Sequence, residues 1–122
     1  MSDTRLAGPI VEIAAGTNLN GHRAIAAVNG AGVHADKTNP AHRGLTRGIS
    51  TGAVVEDDIA RLQTYGPMRE PSWSWTPGLP IYVGSAGALT QTAPTSGWLQ
   101  QIAVADSPTQ IFIDLQPVFA LS

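Results

Sequence analysis

Residues 73–92 read WSWTPGLPIYVGSAGALTQT, and the fold class turns on this stretch. Trp73 and Trp75 share a face at a period of two, and Pro77-Gly78 is a turn dipeptide. Ile81-Tyr82-Val83 joins the β-branched and aromatic side chains that suit a pleated surface. Gly84-Ser85-Ala86-Gly87 then reverses the chain. Leu89 and Gln91 alternate with threonines, as a returning strand requires, until Pro94 withdraws a donor from the ladder. The pattern predicts a β-hairpin entered by an extended strand over residues 73–77, and it contains no enzyme signature.

The same chemistry recurs on both sides. Residues 1–9 lack periodicity and end in Gly8-Pro9, which predicts an extended arm. Ile10-Val11-Glu12-Ile13-Ala14 reads as a first strand and residues 22–28 as a second, returned by Asn29-Gly30 into Val33-His34-Ala35. Asn-Gly readily supplies the positive φ angles of a tight hairpin turn. A polar loop over 36–40 leads into a glycine-spaced segment, 42–50, anchored by Leu45 and Ile49. In AVVEDDIARLQTY, residues 53–65, Val55, Ile59 and Leu62 fall at helical spacing. An acidic turn followed by a strand over 59–65 fits better among β neighbours joined by short connections. Gly66-Pro67 reads as a turn, and residues 98–105 as a strand closed by Asp106-Ser107-Pro108. Ile111-Phe112-Ile113 is the most β-prone run, and Pro117 makes residues 118–121 a terminal or edge segment apolar enough to dock.

The predicted fold is all-β: a small β-barrel or sandwich of hairpins forming one domain over 10–122, with an N-terminal arm over 1–9. The series Val28-Asn29-Gly30-Ala31-Gly32-Val33, Pro40 and Leu45 to Ile49 has a counterpart in Val83 to Leu89, Pro94 and Leu99 to Val104. That repetition, at an offset of about 55 residues, suggests two related β units closing on one core.

Composition narrows the function. Apolar residues make up 43% but charged ones only 13%, about half the usual share, so Thr, Ser, Gln, Asn, Gly and Ala carry the surface. A net charge of −2 is a weak solubiliser for a free small domain and points to burial in an assembly. The seven basic residues are scattered, which argues against nucleic acid. No cysteine is present, so disulfides and thiol chemistry are excluded. The expectation is no secretion signal and no membrane span, since no basic start precedes an apolar run and no window approaches the length of a membrane helix.

Candidate chemistry is sparse. His22, His34 and His42 match no compact metal-ligand spacing and read as surface or loop histidines. Glu56-Asp57-Asp58 would alternate faces on a strand, so they suit a solvated acidic turn, or one facing an arginine of a partner subunit, better than a calcium site. Ser50, Ser72, Ser74 and Ser107 lack a nucleophile-elbow context. A small hydrolase using His34 or His42 with a nearby acid is the weakest function class. No cofactor is implied. Trp73 and Trp75, with Tyr65 and Tyr82, suit a core, a subunit interface or an aromatic platform for a sugar.

The order of these parts resembles a known family. GLPIYVGSAGALTQTAPTSGW (78–98) followed by LQQIAVADSPTQIFIDLQP (99–117) is similar to the closing half of small virion proteins of tailed bacteriophages. HRAIAAVNGAGVHAD (22–36) and HRGLTRGIST (42–51) are similar to the upstream part of capsid decoration, or cement, proteins. The resemblance implies a β-rich, non-enzymatic module, made in the bacterial host cytoplasm. It would sit on the capsid exterior, contact the major capsid protein, form an oligomer such as a homotrimer, and strengthen the shell. The residues expected to make contacts are Thr4, Arg5, Leu6 and Pro9 of the arm, Trp73, Trp75 and Pro77, and Val118, Phe119 and Leu121. The alternative is a head-fibre or tail-fibre module binding a receptor or glycan through Trp73, Trp75 and Tyr82.

Overall fold

The computed structural model describes residues 9–121. The strands are β1 (Ile10–Ala14), β2 (Ala24–Val28), β3 (Ala31–His34), β4 (Thr46–Ser50), β5 (Ile59–Gln63) and β6 (Tyr65–Arg69). They continue as β7 (Pro80–Val83), β8 (Leu89–Thr90), β9 (Gly97–Leu99), β10 (Gln101–Ser107), β11 (Gln110–Asp114) and β12 (Phe119–Leu121). They form two five-stranded sheets, ordered β1-β5-β4-β2-β3 and β6-β11-β10-β7-β8, and a small β12-β9 ribbon. Every named pairing is antiparallel. The protein is an all-β sandwich, as the alternation and turn chemistry predicted.

The two sheets share one topology. Let unit 1 be β1 to β5, and unit 2 be β6, β7, β8, β10 and β11. In each, the first strand lies at the edge beside the fifth, followed by the fourth, second and third. The register repeats too. Ile25 pairs with Gly48 and Ala26 with Thr46, leaving Arg47 as an extra residue; Ile81 pairs with Ala103 and Tyr82 with Gln101, leaving Ile102. A bulge at the same place in both units kinks and twists the fourth strand against the second. The suspected relation between the halves holds in topology and register.

Two clusters fill the interior. Ala24, Ala26 and Ile49 of unit 1 join Met68, Ile81, Val83, Ala103, Ile111 and Ile113 of unit 2, with Trp98, in the larger one. The opposite face of unit 1 holds a smaller cluster of Ile25, Ala60 and Leu62 with Ala15 and Leu19. Unit 1 curls around it until Ala15 bridges Gly32, where the Gly16 N–H donates to the Gly32 carbonyl at 2.8 Å. Leu19 and Val54 close the cluster by exchanging two backbone hydrogen bonds of 2.8 and 3.0 Å.

Thr64 alone joins β5 to β6, so the chain changes sheets across one residue. Gln63, 3% exposed, donates its amide to the Tyr65 and Pro67 carbonyls at 3.0 and 2.7 Å. Pro67 lacks an N–H and the side chain occupies two carbonyls, so the edge strand β6 is a poor template for strand addition.

Several local expectations change. Residues 73–77 are an irregular loop, not a strand, because Pro71 and Pro77 remove donors on either side and the remaining groups find partners elsewhere. The Trp73 N–H donates to Glu70 and the Trp75 N–H to Pro108. Gln91 holds both the N–H and the carbonyl of Thr76 at 2.9 Å, acting as a strand partner through its side chain. That use of Gln91 also leaves β8 only two residues long. Gly66-Pro67 lies inside β6 rather than in a turn, tolerated because β6 is an edge. The expected 98–105 strand divides at Gln100 into β9 and β10, and β10 runs on to Ser107, so the turn falls at Pro108-Thr109. Residues 59–63 are strand as expected, and only the far end differs, because the chain breaks at Thr64 and Tyr65 begins β6.

Candidate interaction surface

The residues expected to make contacts occupy separate places. Thr4, Arg5 and Leu6 lie outside the described residues. Pro9 is exposed, and its carbonyl accepts the Thr64 N–H at 3.0 Å. Trp73 and Trp75 are half-buried and pack on the larger core cluster. Their ring centroids are 5.7 Å apart at an interplanar angle of 57°, so they present no common flat surface. Trp73 also meets His22 edge to face at 5.3 Å. Pro77 is exposed at the loop tip.

The C-terminal segment docks in part. β12 pairs with β9, Val118 packs on the larger cluster, Leu121 is half-buried, and Phe119 stays 60% exposed. Ala120 and Leu121 help line a cleft of about 220 Å³ with Thr38, Pro40, Arg43 and Trp98. The tryptophan loop, tied to Pro108, and β12, over the loop around residue 40, form no common site.

A different surface emerges from the register of unit 2. Pro67, Phe112, Val104 and Pro80 lie directly opposite one another across β6, β11, β10 and β7. Their neighbours Gly66, Ile113, Ala103 and Ile81 turn inward, Ile113, Ala103 and Ile81 into the larger core cluster, so by alternation this row faces outward. All four residues are partly exposed. Tyr65, 48% exposed, meets Phe112 edge to face at 5.1 Å, and Tyr82 extends the apolar area along β7. Among the described residues, charge on this face lies at the margins: Arg69, Asp106, whose carboxylate accepts from the Gln110 amide at 3.4 Å, and Asp114. A contiguous apolar face rimmed by polar groups is the ordinary form of an interaction surface.

Loops of both units are fastened by polar side chains. The Asn20 N–H donates to Nε2 of His34 at 3.1 Å. Burial and the nearby Arg23 guanidinium both disfavour the imidazolium and lower the His34 pKa. Burial would raise the Asp36 pKa, but hydrogen bonds from the Thr38 hydroxyl and N–H, and from the Ala86 N–H, outweigh it with help from His42 and lower it. The Ser72 hydroxyl and N–H lower the Glu70 pKa by bonding its carboxylate. Glu56-Asp57-Asp58 form the expected acidic turn, with Asp57 at φ 75° and the Glu56 N–H donating to Asn18. Among the described residues no three His, Asp or Glu side chains are grouped to hold a metal ion, and no helix is long and apolar enough to cross a membrane.

No protein-family model matches the chain, and no curated protein matches it.

Proposed function

We propose that the protein is a structural virion component that binds the outside of an assembled tailed-phage capsid as an oligomer and stabilises the shell. The observation that carries this reading is the free apolar face of unit 2, in which Pro67, Phe112, Val104 and Pro80 cross four strands with charge confined to the rim. A surface of this kind supplies contact area without chemistry, which is what the association of copies into a shell-bound oligomer needs. Low overall charge and the sequence resemblance to decoration proteins support the same role. A ligand that binds only the assembled lattice stabilises it by mass action, and many copies compound a modest affinity. The homotrimer and the major capsid protein as partner belong to this proposal.

The test is co-sedimentation with heads that lack the protein. Purified chain added in increasing amount should saturate at a fixed number of copies per head. Failure to sediment with heads, together with glycan binding lost in Trp75→Ala, would replace this reading with the fibre module.

A further inference from the structure

The repeat fixes which faces are paired inside the molecule and which one is left over. By register, Ala24, Ala26 and Ile49 of unit 1 correspond to Pro80, Tyr82 and Val104 of unit 2, and Gln63 corresponds to Phe112. In unit 1 these positions are sealed, each no more than 3% exposed, and the three apolar ones join the core shared with unit 2. In unit 2 their counterparts stay partly exposed. The opposite faces correspond as well: Ile25 and Leu62 line the small cluster of unit 1, while Ile81 and Ile111 receive unit 1. The two units therefore stack head to tail, and the outer face of unit 2 holds the position by which unit 1 docks.

We propose that copies of this chain associate by continuing that stack, with the outer face of unit 2 in one copy seated on the far side of unit 1 in the next. The far side is closed by the Ala15–Gly32 contact and the Leu19–Val54 bridge, so the next copy rests on the bridge and not on Ile25 or Leu62. Over the bridge lies an open groove of about 410 Å³ lined by Asn18, Leu19, Ala53, Val54, Val55 and Asp58. Val55 is 59% exposed there, an apolar side chain without cover. The acidic turn Glu56-Asp57-Asp58 borders the groove, and Arg69 is the cation at the rim of the free face. Asp106, bonded to the Gln110 that pairs with Arg69, and Asp114 have the same sign as that turn, so Arg69 supplies the one favourable charge and the contact rests on its apolar area. Because the two surfaces differ, the contact is heterologous, and it closes into a ring or grows as a filament. It supplies the self-association in the proposed role and is measured without heads, so the two readings fail separately.

The test is light scattering on the full chain at micromolar concentrations, with single and mixed variants. The wild type should show a multiple of 12.7 kDa. Phe112→Arg on the free face and Val55→Asp on the groove side should each be monomeric. An equimolar mixture of the two retains one intact junction and should give a species of twice 12.7 kDa. Val104→Arg serves in place of Phe112→Arg if loss of the Tyr65 contact unfolds the latter, as judged by circular dichroism. A monomeric wild type, a Val55→Asp variant that still associates, or a mixture that stays monomeric would overturn the head-to-tail contact.

Discussion

Trp98 is the largest fully buried side chain among the described residues, 1% exposed, and it ties β9 to the loop that follows β3. Its indole N–H donates to the Asn39 carbonyl at 2.9 Å and its backbone N–H to Lys37 at 3.1 Å. Trp98→Ala keeps the backbone bond but deletes the ring from the larger cluster and leaves its space beneath the cleft beside Ala120 and Leu121. Substitutions of this kind cost about 3–5 kcal/mol. Against a total of about 5–15 kcal/mol for a typical domain, that removes a large share of the stability. At about 4 °C per kcal/mol for a chain of this size, Tm should fall by about 12–20 °C. Trp98→Phe should cost about 1–2 kcal/mol, because the ring partly fills the space and Asn39 still accepts the His42 N–H at 3.0 Å. Urea melts followed by far-UV circular dichroism would show the midpoint falling with the slope unchanged. A loss below about 1 kcal/mol for Trp98→Ala would refute the reading of one shared core, since no large buried side chain at a true core position is that cheap to remove.

Glycine substitutions offer a matched pair. Gly30 has φ 81°, and an added Cβ would meet nothing within 4 Å, so Gly30→Ala should cost only the backbone strain of about 1–2 kcal/mol. Gly87 has φ 77°, and an added Cβ would lie 2.8 Å from the Ala24 carbonyl of unit 1, so Gly87→Ala should be the more destabilising of the two in thermal melts; equal losses would contradict the close approach. His34 makes stability depend on pH. Its folded pKa lies below the unfolded value of about 6.5, so its contribution is complete above that pH and is lost as the pH falls from there toward the folded pKa. Chemical denaturation between neutral and mildly acid pH should show that decline, and His34→Gln should flatten it; an unchanged slope would remove His34 as the cause.

The strands were most legible where local chemistry and tertiary context agree. Asn29-Gly30 forms the tight turn it predicts, with φ angles of 53° and 81°, and Ile10–Ala14 and the Ile111-Phe112-Ile113 run are strands as their side chains require. The tryptophan segment misled because its period-two pattern is real while its backbone partners are a turn carbonyl and a glutamine side chain. Neither is visible in a propensity. The candidate surface was hidden for another reason. Gly66-Pro67 reads as a turn, and Phe112 sits in a run that reads simply as the most β-prone. Alternation shows that Phe112 and Ile111 face opposite ways but not which face a second sheet covers. The repeat, visible as recurring glycine turns and prolines, held the missing information, because the same strand order in both units identifies the face that unit 1 uses and unit 2 leaves free.

The most direct measurement of the proposed role is the thermal stability of heads as a function of how many copies are bound. Heads lacking the protein would be titrated with purified chain and heated while shell disruption is followed. At a free concentration about 100-fold above Kd, each occupied site adds about 2.7 kcal/mol to the assembled state. The disruption temperature should therefore rise with occupancy and level off when binding saturates. Saturable binding with no rise in that temperature, or no binding to heads at all, would contradict a role in stabilising the shell.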